Sequence, residues 1–416
     1  VASIAIIGAG FLGLSSAYWL RRDGHQVTLF DPRGAAGGAS FGNAGTFATY
    51  ACIPVNNPGV FRDFHRYLFS AQSPFRLRLG YLPRLTPWLL RFLLSSTPSR
   101  YEQSAEALSQ LLARAYAGYE DLIREAGLEH FLCRRGALYL YSSKRGYEAA
   151  EAALALRRKL GVQLEILAPQ ALQELEPELA AIFHRAVRFR DTWHLLDPAG
   201  FLTALQDWLV SRGMQLEREA VDRLEPRKEE VRLLTPGGAH SFDRVVVAAG
   251  AFSGKFAQQC GDPIPLDTER GYHVTFRGGE GLVSRPVGWA ERGFYMTPMT
   301  GGLRAAGTVE LAGLVDRKNP ALLELLRYSA QRALPRLPQA GESWLGFRPT
   351  LPDGLPVLGR SSTSARVLYA FGHQHIGLTL GGLSGRLIAD LIEERPPLLD
   401  LSACSPQRFR RSAPSI

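Results

Sequence analysis

The tightest constraint on the fold is the run Gly8-Ala9-Gly10-Phe11-Leu12-Gly13, which stands between an apolar stretch and a helix-forming one. In that setting each glycine of a GxGxxG pattern has its own task. Gly8 permits a tight turn, Gly10 lets backbone approach a pyrophosphate, and Gly13 lets the helix pack closely on the sheet. The helix start that follows offers free N–H groups and a partial positive charge to phosphate. Residues 25–30 read as a second strand ending at Asp31, completing a βαβ unit. Asp31 is placed to accept hydrogen bonds from ribose hydroxyls and to repel a 2′-phosphate. Spacing alone does not choose between NAD and FAD.

A chain of 416 residues, 46% hydrophobic, is long enough for about two or three domains. Its cysteines, Cys52, Cys133, Cys260 and Cys404, form no CxxC pair, so neither a disulfide framework nor a metal site is expected. The first strand begins by Ile4 and no apolar run is long enough to span a bilayer, which predicts a cytoplasmic protein or one on the inner membrane face. The charge of +9 is dispersed, which argues against nucleic acid. Residues 61–94 interleave arginines with phenylalanines and leucines, with Asp63 as the single acid. That composition suits an anionic membrane surface, and equally a subunit interface or a cover over the active site.

Periodicity predicts short helices broken at Pro74, Pro83 and Pro87, then one long amphipathic helix over 101–125. A helix over 198–210 starts at Asp197 and Pro198, and a strand over 242–248 ends at Ala249-Gly250. Strands are expected at 272–276, 293–297 and 303–308, with a strand and helix at 367–370 and 380–391. The fold class read from this order is α/β: a discontinuous Rossmann-like nucleotide domain (1–60, 195–255, 343–400) with an inserted α+β substrate domain (61–194, 256–342) built on a mixed sheet. The tail 401–416 is assigned no function.

Beyond the βαβ unit, three stretches add specificity: GGASFGNAG from Gly37, FDRVVVAAGAFS from Phe242, and GFRPTLPDGLPVLGR with GHQHIGLTLGG between Gly346 and Gly382. With these the chain resembles the glycine oxidase, sarcosine oxidase and D-amino-acid dehydrogenase superfamily of FAD-dependent amine oxidoreductases, above all its bacterial D-amino-acid dehydrogenase branch. The resemblance implies FAD, contacted by Gly8, Gly10, Phe11, Leu12, Gly13, Asp31, Pro32 and Arg33, and by the loop Ser40, Gly42, Asn43, Ala44 and Gly45. Further contacts are implied at Val221, Ala249, Gly250, Gly346 and Arg348, and at His375, Ile376, Gly377, Leu378 and Thr379. Glycines in that last segment serve close helix packing equally well. Members with covalent flavin use a cysteine near the position of Arg348 and Pro349; none lies between Cys260 and Cys404, so the implied FAD is non-covalent.

The implied reaction is oxidation of the Cα–N bond of a D-amino or cyclic imino acid to an imine, with hydride passing to flavin N5 and electrons to a quinone or other acceptor. An O2-using oxidase of the glycine or sarcosine type, and a flavin-binding protein without turnover, remain alternatives. Arg348 is the candidate carboxylate anchor, because a guanidinium holds both oxygens at once. Tyr272 and Tyr295 are candidate partners of the same carboxylate, and aromatic packing is the competing role for each. His375 stands where the glycine-oxidase-like branch carries an arginine; with His273 and His373 it is a candidate to bind the amine or tune it.

Overall fold

In the computed structural model, which describes residues 1–58 and 73–410, the N-terminal pattern folds as expected. β1 (Ser3–Ile7) leads into α1 (Phe11–Arg22), and β2 (Gln26–Phe30) returns parallel to β1. The outer glycines are compelled by contacts. A Cβ on Gly8, whose φ is +111°, would lie 2.5 Å from the Ala248 carbonyl oxygen. One on Gly13 would lie 1.8 Å from the Gly8 carbonyl oxygen, where no atom fits.

Six strands build the nucleotide sheet in the order Val357–Arg360, Val367–Phe371, Arg244–Val247, β1, β2, Gln215–Glu217. Only Val357–Arg360 runs antiparallel to its neighbour. Strands from the start, middle and end of the chain thus form one unit, and the switch point beside β1 opens a crevice at the strands' carboxyl ends. α1 packs against the C-terminal helix Gly377–Ile392, where a Cβ on Gly385 would lie 2.5 Å from the Ser15 carbonyl carbon.

A second, nine-stranded mixed sheet contains Ser343–Thr350, Asp267–Phe276, Gly302–Leu311 and Phe294–Met299 as consecutive antiparallel neighbours. One face buries Tyr272, Val274 and Phe276 against Leu322, Leu326 and Ala330 of helix Pro320–Ala333. Residues of the other parity, Glu269, Gly271 and His273 with their cross-strand partners Arg348, Gly346 and Trp344, turn toward the nucleotide domain. This is the α/β class expected, with the mixed-sheet unit inserted.

Several local expectations change. The helix expected over 101–125 is three pieces, Pro98–Leu112, a 3₁₀ turn Ala115–Gly118 and Glu120–Ala126. The interruption seats Gly118 directly on the C-terminal helix, where a Cβ would lie 2.1 Å from the Gly382 carbonyl carbon. Pro87 does not break the helix Leu82–Ser95; the carbonyl that loses its partner belongs to the exposed Pro83. Ser343–Thr350, read as opening the last nucleotide-domain segment, is hydrogen-bonded into the larger sheet. The expectations for residues 61–72 lie outside the described residues.

Candidate active site

A cavity of about 1190 Å³ lies between the two sheets. Every predicted cofactor residue lines it except Gly13, Gly45, Ile376 and Thr379, which are a correction to the sequence reading. Those four build the wall from behind. Gly13 packs on the β1–α1 turn, Gly45 makes a left-handed turn at φ +69°, Ile376 is buried in the core, and Thr379 Oγ1 accepts from the Ala48 amide at 2.9 Å.

At one end, Asp31 accepts from the amides of Ala9 at 2.9 Å, Arg33 at 2.9 Å and Gly34 at 3.1 Å, which holds its carboxylate at the tip of β2. Lys255 Nζ donates to the Val221 carbonyl at 2.9 Å, fixing a second backbone strip along the cavity. The small-residue loop after β2 is tied to itself, with Asn43 donating to the Ser40 carbonyl and accepting from the Gly45 amide. Arg304 donates to the Phe41 and Asn43 carbonyls, both at 3.0 Å, so this arginine clamps the loop. A Cβ on Gly10 would meet only Ser40 Oγ, at 2.9 Å, and one on Gly250 nothing within 4 Å: space is kept clear where a dinucleotide must lie against backbone.

At the other end, Arg348 spans three strands. Its side chain passes over Gly271, where a Cβ would lie 2.3 Å from the guanidinium carbon, and donates to the carbonyls of Thr308 at 2.8 Å and Gly307 at 3.3 Å. Thr308 is held at φ +59°, an unusual state for a β-branched residue, beside an irregularity in strand register. Guanidinium N–H groups beyond these two bonds remain for a ligand.

The candidate tyrosines part company. Tyr272 lines the cavity, but its hydroxyl is donated to Glu310 and its ring packs in the core between the sheet and helix Pro320–Ala333. Tyr295 meets Tyr50 hydroxyl to hydroxyl at 3.0 Å, and with Tyr139 they form an uncharged aromatic wall. Burial pushes the Tyr50 and Tyr295 phenols well up, so they stay neutral.

The three histidines also separate. His273 donates from Nδ1 to the Gly42 carbonyl at 3.1 Å and stacks on Trp344; His373 pairs with Ser384 at 2.9 Å. His375 lines the cavity with its side chain exposed there, and desolvation between the cavity walls followed by the nearby Arg348 charge lowers its pKa to about 4. Gly381 and Gly382 pack on Tyr119 and Gly118, whereas Gly377 lines the cavity, so only the last of these glycines serves the cavity surface.

Sequence reading missed Glu269, Tyr50, Tyr139, Gly271 and Lys255. Glu269 carried a signal: an acid two residues from Gly271 and four from His273, on one strand face.

Burial carries a pH consequence. His194, His273 and His373 are at most 4% exposed, and desolvation lowers their pKa values to about 4, 3 and 3. Below the ordinary value near ~6.5 the unfolded chain binds protons that the folded one refuses, so stability falls as pH falls. Each adds up to ~1.4 kcal/mol per pH unit, about 4 kcal/mol for the three together. Asp267 and Glu269, raised by burial, oppose this at lower pH. The melting temperature should be level from pH 8 to 7 and drop steeply from 6.5 to 5; a constant value down to pH 5 would contradict it.

A profile of the FAD dependent oxidoreductase family matches residues 3–391. The chain belongs to this family. Among relatives of FAD dependent oxidoreductases, a D-amino-acid oxidase of Bradyrhizobium diazoefficiens is 36% identical, covering 98% of both chains. A D-amino acid dehydrogenase of Paramagnetospirillum magneticum is 29% identical, again covering 98% of both. The crystal structure of glycine oxidase from Geobacillus kaustophilus superposes with a TM-score of 0.75 over 99% of both chains at 24% identity, a likeness of fold. As an FAD dependent oxidoreductase the chain is an enzyme that binds FAD non-covalently; none of its four cysteines lines the cavity. Oxidation of an amino- or imino-acid Cα–N bond is the reaction class this assignment carries.

Proposed function

We propose that this enzyme oxidises a D-amino acid or a cyclic imino acid such as D-proline or D-hydroxyproline, and passes the electrons to a quinone or a similar acceptor. The observation that carries this is Arg348 facing the same cavity as the nucleotide cradle, with Tyr50, Tyr139 and Tyr295 also on its wall. Bound FAD supplies the hydride acceptor. Arg348 holds the substrate carboxylate and thereby aims Cα. The tyrosines offer an uncharged, hydrogen-bonding compartment for a neutral side chain or ring. His375, neutral above about pH 4, adds no second positive charge. The first turn of helix Gly377–Ile392 presents free amides along the cavity wall.

Anaerobic bleaching of the bound flavin by D-proline, D-hydroxyproline, D-alanine, D-arginine, glycine and sarcosine tests this directly. Reduction by neutral D-amino or cyclic imino acids supports it; a flavin that no amino acid bleaches removes the enzymatic reading of the substrate. The relative named as an oxidase favours a second reading, in which O2 is the acceptor. Reoxidation faster with O2 than with a quinone selects it.

The acceptor reading places the enzyme at an anionic membrane surface. Among the described residues no helix is long and apolar enough to cross a membrane. Helix Leu82–Ser95 turns Leu85 and Trp88 inward onto Leu311 and leaves Leu82, Leu90 and Leu94 exposed, with Arg84 and Arg91 also exposed. Such a surface suits shallow insertion beside acidic headgroups. The enzyme should float with anionic vesicles at low salt and be released at high salt; failure to float at low salt removes the membrane from the proposal.

A further inference from the structure

Glu269 is 7% exposed, lines the cavity and stands directly opposite Arg348 in the register of the two strands. The Thr350 hydroxyl donates to its Oε1 at 3.2 Å, and no ion pair with Arg348 within 4.0 Å is formed. The guanidinium leans the other way, across Gly271 to the Gly307 and Thr308 carbonyls. The site therefore presents one cation and one anion side by side, each with hydrogen-bonding capacity left over. An α-amino acid at neutral pH carries the complementary pair, carboxylate and ammonium, on neighbouring atoms. Its ammonium must lose a proton before Cα can release hydride, because the departing electrons are replaced by the nitrogen lone pair.

We propose that Glu269 receives the substrate ammonium and acts as the base that removes its proton while Arg348 holds the carboxylate. An N–H bond of the ammonium breaks, its electron pair stays on nitrogen, and the proton forms an O–H bond on the Glu269 carboxylate; no electron is transferred in that step. This rests on the amino-acid reading above.

The surroundings favour the role. Burial pushes the Glu269 carboxyl up, toward the basicity a proton acceptor needs, and the Arg348 charge and then the Thr350 hydroxyl oppose that rise in part. The charged neighbours on its own strand are engaged elsewhere. Asp267 accepts from Tyr81, and Arg270 turns to the opposite face, where it meets Glu310 of the next strand. From the helix side comes His375, neutral above about pH 4. Asp316 and Lys318, on the loop after Leu311, also line the cavity.

The test compares the FAD-loaded wild type with Glu269→Gln and Glu269→Asp. Two ligands are used: the amino acid that reduces the wild type best, and its desamino carboxylate, cyclopentanecarboxylate for proline or propanoate for alanine. The Gln variant should keep its FAD and bind the desamino carboxylate within about threefold of wild type by calorimetry, because Arg348 is untouched. Its flavin-reduction rate at pH 7 should fall about 10²-fold and recover about tenfold per pH unit toward the substrate amine's own pKa, and Asp should restore part of it. A Gln variant that reduces at the wild-type rate from pH 6 to 9 overturns the proposal. So does one that loses desamino-carboxylate binding or FAD together with rate, since that marks a structural role through Arg348. A wild type reduced by no amino acid overturns both this inference and the function reading, whereas the first two outcomes overturn this inference alone.

Discussion

Replacing Arg348 with alanine should leave FAD content nearly unchanged while lowering the efficiency of flavin reduction by about 10²–10⁴-fold, or about 3–5 kcal/mol of transition-state stabilisation. The size follows from losing two things together: a charged partner for the carboxylate, and the orientation a planar double donor imposes on Cα. The site is prepared for this side chain. Gly271 keeps its path clear, and the carbonyls of Gly307 and Thr308 hold the guanidinium on the far strand. Alanine also leaves Glu269 without the charge that offsets its burial, so folding is checked by melting and by flavin occupancy. Lysine restores charge without the fork and should rescue only in part. The measurement is anaerobic reduction rate against substrate concentration for all three proteins at equal bound FAD. An alanine variant with wild-type rate and apparent affinity would place the carboxylate elsewhere, with Tyr295 the next candidate.

The second large effect is expected at Gly10. Unlike Gly8 and Gly13, it is not enforced by the protein's own packing: its φ is −81° and a Cβ would meet only the Ser40 hydroxyl. Gly10→Val should therefore fold, yet its side chain occupies the line along which a pyrophosphate approaches the α1 N-terminus. FAD affinity should fall by at least about 10²-fold, the scale of losing two or more charge-assisted hydrogen bonds. Far-ultraviolet circular dichroism and FAD titration of the apoprotein read fold and affinity separately. A valine variant that titrates like wild type would mean the pyrophosphate does not pass Gly10.

These two residues show where sequence reasoning reaches and where it stops. Gly10 was legible because a GxGxxG turn is a local device: strand, turn, helix and acid all lie between Ser3 and Asp31, even though the contact that excludes a Cβ at Gly8 comes from Ala248. The capping of helix Pro198–Ser211 by Asp197 was legible for the same reason, the side chain accepting from the Ala199 and Gly200 amides. The break at Gly118 was not, because its cause is Gly382, far along the chain. Tyr272 and Tyr295 looked alike as strand tyrosines. Both line the cavity, but strand parity and a β-irregularity sent the Tyr272 hydroxyl to Glu310 and the Tyr295 hydroxyl to Tyr50.

The sequence by itself determined the nucleotide-binding unit, the discontinuous α/β plan, the non-covalent cofactor implied by its resemblance, and Arg348 as an arginine worth testing. Only the tertiary structure decided what Arg348 stands beside. The juxtaposition of Glu269 and Arg348 needs two strands separated by more than seventy residues to align at one register position, with Gly271, two residues along the Glu269 strand, leaving the path of the guanidinium clear. Local propensities do not encode that register. It is set by which faces the sheet buries on helix Pro320–Ala333 and which it turns to the cofactor domain, since a slip of one residue would exchange the two faces.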